Sequence, residues 1–410
     1  MFRSTRSRRA PAALASLLAL PLALTACGGS GSGSDSGGTT TLRVLDYYNT
    51  DPGKTVWQKA LEACASQAGA TISREAVPGA TLIQKVLQQA SSKTLPDLLM
   101  LDNPDLQQIA QTGALTPLDT FGINGDGFAK GVIDASTYQG KLYGLQPITN
   151  TIGLFYNKDI LSKAGVTPPT TWDELKTAAK KLTSGSQYGL AFAAPANYEG
   201  TWQFLPFMWS NGGDEKNIAT PQTAQALQLW VDLMKAGSVS KSALNWTQAD
   251  VNDQFKAGKA AMMVNGPWQF PVLDADTALH YAVVKIPAPA AGQPIVAPLG
   301  GETWTVPQTG NKDKQAKAAK VVTCLNSDDN QVSLAKQNQT IPTKTALLAS
   351  FSSSNPNMKG FTDQIPTARA RTGELGPDWP KAATKIYTAF QSALTGQADP
   401  AKALEQAQNG

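Results

Sequence analysis

One histidine and three cysteines limit the chemistry open to this 410-residue chain. A Ser-His-Asp relay would have to use His280. That residue lies in the alternating run ALHYAVVKIP, which reads as a strand, and a structural place on it is the simpler reading. Zinc sites draw on clusters of His and Cys ligands. Once Cys27 is accounted for, Cys64 and Cys324 are too few to make one. No catalytic residue, metal site or cofactor is expected. Cys64 and Cys324 fall in predicted helices about 260 residues apart. In an oxidising compartment they are either a disulfide or two buried thiols. A bridge would be worth about 5 kcal/mol in the chain-entropy account.

Cys27 belongs to a different pattern. Arg3, Arg6, Arg8 and Arg9 precede an apolar stretch from Ala12 to Leu24. That stretch is shorter than the roughly 20 residues a bilayer span needs. A basic head, a short apolar core and small residues before a cut mark a secretory signal, 1–26. Leu24-Thr25-Ala26-Cys27 resembles the bacterial lipobox, in which the cysteine is lipidated and becomes the first residue. Residues 27–40 are then a lipidated cysteine and a Gly/Ser tether, unable to bury a core. The expected location is the outer face of the cell membrane, by a lipid anchor. Setting aside the four arginines of the signal, 35 basic residues become 31, against 31 acids. A neutral body gives no electrostatic case for nucleic acid.

Between 41 and 150, strands and helices alternate. TLRVLDYY, ATISREAV and DLLMLD read as strands; VWQKALEACASQ, ATLIQKVLQQASS and PDLQQIAQTG read as helices. The alternation argues for an α/β fold on mainly parallel sheet. Ligands in such folds sit beyond the carboxyl ends of the strands. Tyr47, Tyr48 and Asn49 leave the first strand there, and Asp102 and Asn103 leave the third. Further on, Thr171-Trp172-Asp173-Glu174 is a capping box, followed by Leu175, Ala178, Ala179 and Leu182 on one helical face. Leu227, Trp230, Val231 and Met234 repeat that spacing, which makes Trp230 core. Pro380 opens a late helix with Ala383, Ile386, Tyr387, Phe390 and Leu394 inward, and Gly396 stops it.

Several stretches, in order, carry a resemblance: LPDLLMLDNPDLQQIAQTGALTPLD, YQGKLYGLQPITNTIGLFYNKDILSKAGVTPPTTWDELKTAAKKL, FKAGKAAMMVNGPWQF, IPAPAAGQPIVAPLGGETWTVP and QNQTIPTKTALL. Together they resemble the extracellular solute-binding proteins of bacterial ABC importers, of the carbohydrate-binding type, over residues 41 to 408. The resemblance implies two α/β lobes with a ligand cleft at their hinge. It places crossings near 146–151, 286–289 and 326–331. One lobe would hold 41–149 and 287–328, the other 150–286 and 329–410. It also implies a monomer that captures a sugar or oligosaccharide and delivers it to permease subunits.

Sugars stack their C–H faces on aromatic rings and pair their hydroxyls with planar polar groups, since buried polar groups left unpaired cost about 1–3 kcal/mol each. Tryptophans outside helical stripes are the candidates. The resemblance puts Trp268, in NGPW, first. Trp202 and Trp379 match further aromatic contacts, and either Trp304 or Glu302 of GGETW faces the cleft. Asp102, Asn103, Tyr48, Asn49, Asn150, Glu302 and Gly301 are the polar and backbone candidates. Arg369 and Arg371 are either forked donors or a solvated face. Two other readings stay open: a polyol or glycerol-phosphate-type solute, and a secreted glycoside hydrolase using Asp102 and Glu302.

Overall fold

The computed structural model describes residues 40–410, so the signal, Cys27 and nearly all of the tether lie outside the described residues. Nine strands build two main sheets: β1 (Thr40–Asp46), β2 (Ala70–Ala76), β3 (Leu98–Asp102), β4 (Gly144–Leu145), β5 (Gly153–Asn157), β6 (Tyr188–Ala191), β7 (Ala260–Asn265), β8 (Tyr281–Val284) and β9 (Glu302–Thr305). The first sheet runs β2-β1-β3-β9-β4 and the second β8-β5-β7-β6. β1 is parallel to β2 and β3, as strand–helix alternation requires. β9 comes from much later in the sequence and pairs antiparallel with β3 and β4. In the second sheet only β7 and β6 are parallel. The sheets are therefore mixed, because strands that enter by a crossing run against their neighbours.

Apolar spacing sets the helices on these sheets. In Gly53–Gln67 the buried residues are Trp57, Leu61, Cys64 and Ala65, a single stripe. Cys64 is bridged to Cys324, which ties this helix to Lys312–Leu325. In the second sheet every residue of β7 is buried, the mark of a strand covered on both faces. Met262 and Val264 share a core with Phe192, Phe204 and Trp230, while Met263 packs in the core that holds Phe155, Phe270 and Phe361. The capping box at Thr171 and Glu174 is present, and Leu175, Ala178, Ala179 and Leu182 are buried behind it. Among the described residues no helix is long and apolar enough to cross a membrane.

The hinge is a lattice of short segments. Gln146 Nε2 and Thr149 Oγ1 both donate to the Gly300 carbonyl at 2.7 Å, and Gly300 N donates to Asn150 O at 2.9 Å. Pro298–Leu299 pairs with Arg369–Ala370, and Ile148–Thr149 pairs with Ile341–Pro342. Two expected crossings move. Residues 286–289 stay with the second sheet's helices, because Ala288 pairs with Thr171 and accepts from Trp172 N at 2.9 Å. The crossing there is 298–301. At 326–331 the chain does not cross: Asp328–Asn338 packs beside Gly53–Gln67, near the disulfide. Residues 329–338 thus belong with the first sheet, and the chain leaves it only after 341–342.

Candidate functional site

The strand ends of the first sheet meet the second lobe around a cleft of about 380 Å³. The first wall is built from β1, β3 and β9. Tyr47 and Tyr48 follow β1, Asp102 ends β3, and Gly300, Gly301 and Glu302 lead into β9. Buried Asp46 sets the tyrosine turn. It accepts from Tyr48 N at 2.8 Å and pairs with Arg74 at 2.6 Å, while Arg74 also donates to Tyr48 O. The two phenols then converge on one carboxylate. Tyr47 donates to Glu302 Oε1, and Tyr48 donates to Oε2 at 2.6 Å. Burial pushes the Glu302 carboxyl above the usual carboxylate range, and the phenol bonds oppose that push. Burial first, then the Glu302 charge, raises both phenols well above ordinary tyrosine.

Arg371 organises the next part. Its Nη2 donates to Asp102 Oδ1 at 2.9 Å and to Asn103 Oδ1 at 2.8 Å. Its guanidinium lies 4.9 Å from the Trp202 ring centroid, a cation–π contact. Nearby Asp105 is pushed up to about 7, by burial first and then by the Asp102 charge, with Arg371 opposing.

The second wall comes from the start of helix Tyr198–Ser210, from Gln248 and from the loop after β7. Tyr198 and Trp202 stand one helical turn apart and both line the cleft. Trp202 reaches the hinge: a Cβ on Gly300 would lie 2.8 Å from its Cη2 and 2.0 Å from Asn150 Oδ1. Only glycine admits that approach. Trp268 is partly exposed and folds back over Gly266, where a Cβ would come within 2.0 Å of the indole.

Of the residues singled out in the sequence, the cleft gathers Trp268, Trp202, Asp102, Tyr48, Asn150, Gly301 and Glu302. Asn103 sits directly behind, fully buried, donating to Leu299 O at 3.2 Å and positioning Arg371. Four expectations are corrected. Trp379 is only 2% exposed and belongs to the core under its own helix. Trp304 is completely buried and packs on Trp57 at 5.3 Å, because it sits two residues deeper along β9 than Glu302. Asn49 is exposed, its N–H closing a turn onto Tyr47 O at 2.8 Å. Arg369 lines a separate groove of about 610 Å³, donating to Glu215 Oε1 at 2.9 Å and lying over Trp209. Sequence reasoning missed Tyr198, Glu199, Gln248, Asn338 and Thr340 as lining residues. A turn's spacing from Trp202 was the available signal for Tyr198.

Asp102 and Glu302 do not make a hydrolytic pair. They face each other in register on neighbouring strands β3 and β9, hence on one wall. Glycoside hydrolysis needs two carboxylates flanking the bond. A body of two sheets whose hinge frames such an aromatic, carboxylate-lined cleft is a receptor for a small solute. The chain belongs to the bacterial extracellular solute-binding protein family, whose profile matches residues 59–360. It is a binding protein and not an enzyme. It is 28% identical to a binding protein of Brucella abortus, over 91% of this chain and 92% of that protein. It is 23% identical to the maltooligosaccharide ABC transporter solute-binding lipoprotein of Streptococcus pneumoniae, over 98% and 96%. The GacH receptor of Streptomyces glaucescens, solved unliganded and with acarbose, matches with a TM-score of 0.78 at 26% identity, over 90% of this chain and 97% of that one.

Proposed function

We propose that this chain is the lipid-anchored receptor of an ABC importer and that it carries a sugar or short oligosaccharide in the cleft to permease subunits. The observation that carries the reading is the composition of the two walls. The lining combines the aromatic side chains Trp268, Trp202, Tyr47 and Tyr48 with the planar polar groups of Asp102, Asn150, Gln248 and Glu302. That combination suits a ring with apolar faces and a polar rim. The lipobox-like Leu24–Cys27 and the following tether support an anchor, and a relative named as a lipoprotein is in keeping with it. Hinge closure on the solute would give a permease a distinct shape to bind. A phosphate-bearing solute is disfavoured by charge. Arg371 is the one basic side chain lining the cleft among the described residues, and it is already paired with Asp102.

The test is a thermal-shift screen of the full chain against mono-, di- and oligosaccharides, polyols and glycerophosphodiesters. A ligand at a hundred times its Kd stabilises a folded protein by about 2.7 kcal/mol. A shift confined to one sugar class is expected. A shift confined to a phosphorylated solute would overturn the substrate class.

A further inference from the structure

Charge in the cleft is unbalanced. Asp102, Glu199 and Glu302 line it, and Arg371 is the one basic side chain that does so among the described residues. Arg371 engages Asp102 and Asn103 through Nη2. Glu199 Oε1 accepts from the Gln248 backbone. Glu302 is different. It is 7% exposed, both of its oxygens accept from phenols, and no basic side chain pairs with it. Two phenol donors, one on each oxygen, favour the charged carboxylate and oppose the push of burial toward the neutral form, a balance that a bound cation would tip to the charged side. A buried carboxylate without a cation is costly, and neutral hydroxyl donors leave its charge uncompensated.

Two further groups point to a ligand at this site. Thr340 Oγ1 and Arg371 Nε have no partner within the protein, and both side chains are more than nine-tenths buried and border the cleft. A polyhydroxyl solute supplies acceptors and donors for such groups. Beside Glu302 the Tyr47 and Tyr48 rings stand 5.0 Å apart, tilted by 46°. A carboxylate lining the cleft with no cation of its own attracts one by charge, and the two phenol hydroxyls fix its orientation.

We propose that the solute is a sugar carrying a protonated amine, and that Glu302, clamped by Tyr47 and Tyr48, receives the ammonium group. This rests on the sugar reading above and specifies its substrate class. Arg371 and Thr340 then serve the hydroxyl-bearing part, and the partly exposed face of Trp268 stacks on the ring. An N-acetylated sugar would bring a neutral, bulkier group to a carboxylate that wants a cation.

The experiment is calorimetric titration of the full chain at about pH 6, where an amine with an ordinary pKa near 8 is protonated. The probes are glucosamine and its β-1,4-linked dimer, against glucose, cellobiose and the N-acetylated forms of the amines. The amines are expected to bind at least tenfold tighter than their neutral counterparts, a difference of about 1.4 kcal/mol. Glu302→Gln is expected to erase that preference, bringing the amines and their neutral counterparts within about threefold of each other. The comparison on the unaltered chain stands whether or not the variant folds. Neutral sugars binding as tightly as the amines would overturn the amine proposal and leave the sugar reading intact. If no sugar in the panel binds and a non-sugar solute does, both fall.

Discussion

Replacing Gly301 by alanine separates two costs that meet at the hinge. Gly301 has φ +112°, a region L side chains rarely adopt. A Cβ there would also lie 2.2 Å from Gln146 Nε2 and 2.8 Å from the Ile148 carbonyl. The backbone strain is worth about 1–3 kcal/mol. Displacing Gln146 breaks its 2.7 Å bond to Gly300 O, a buried bond whose loss costs about 1–3 kcal/mol. The sum for Gly301→Ala is about 2–6 kcal/mol. Gly292→Ala is the control, with φ +79° and no atom within 4 Å of the added Cβ. There the left-handed cost of roughly 1–2 kcal/mol is partly offset by a stiffer unfolded chain, leaving about 1 kcal/mol. Urea unfolding of both variants measures the difference. Gly301→Ala should also weaken ligand binding, since Glu302 is the next residue. If the two variants lose equal stability within about 0.5 kcal/mol, the crossing contacts at Gly301 carry nothing and the hinge argument fails.

Trp379→Ala should cost about 3–5 kcal/mol of stability while leaving affinity intact, because the ring is core and not cleft; unfolding and titration on one preparation decide it. Asp105 sits near pKa 7 when folded against 3.8 ordinarily. The folded chain therefore holds a proton that the unfolded chain has released, so this residue's contribution to stability falls as pH rises from about 4 to 7, by up to roughly 1.4 kcal/mol per unit. Asp105→Asn should match the parent at pH 4 and exceed it at pH 8, read as melting temperatures; equal curves at both ends refute it. Removing the Cys64–Cys324 bridge opens a loop of 260 residues and should lower stability by about 5 kcal/mol in the chain-entropy account. A loss under 1 kcal/mol in the Cys64→Ser, Cys324→Ser double variant would contradict that.

Local signals were the readable part. The stripe Leu175–Leu182, the capping box at Thr171 and the exits of β1 and β3 follow from neighbours in sequence, and they are where the periodicity puts them. Trp230 read as core for the same reason. Depth along a strand was not readable. Glu302 and Trp304 share a side of β9, and only the packing of Trp304 on Trp57 shows that one reaches the cleft and the other does not. Trp379 looked free because it precedes its helical stripe, yet tertiary packing covers it. Arg369 and Arg371 look alike in TARART. Their separation into an outer groove and the cleft depends on the pairing of 369–370 with 298–299, a contact between distant segments. Gln248, Asn338 and Thr340 reach the site through long-range folding, and nothing near them in sequence marks them. The crossings shifted for the same reason: Ala288 is held by Thr171, far away in the chain.

The central claim is that solute lies in this cleft against Trp268. Titrating the parent chain and Trp268→Ala with the best sugar from the screen tests it most directly. Roughly 80 Å² of ring face at about 25 cal/mol/Å² is worth about 2 kcal/mol. The account predicts a thirtyfold or so weaker Kd with an unchanged melting temperature. Unchanged affinity in a folded Trp268→Ala protein would contradict it.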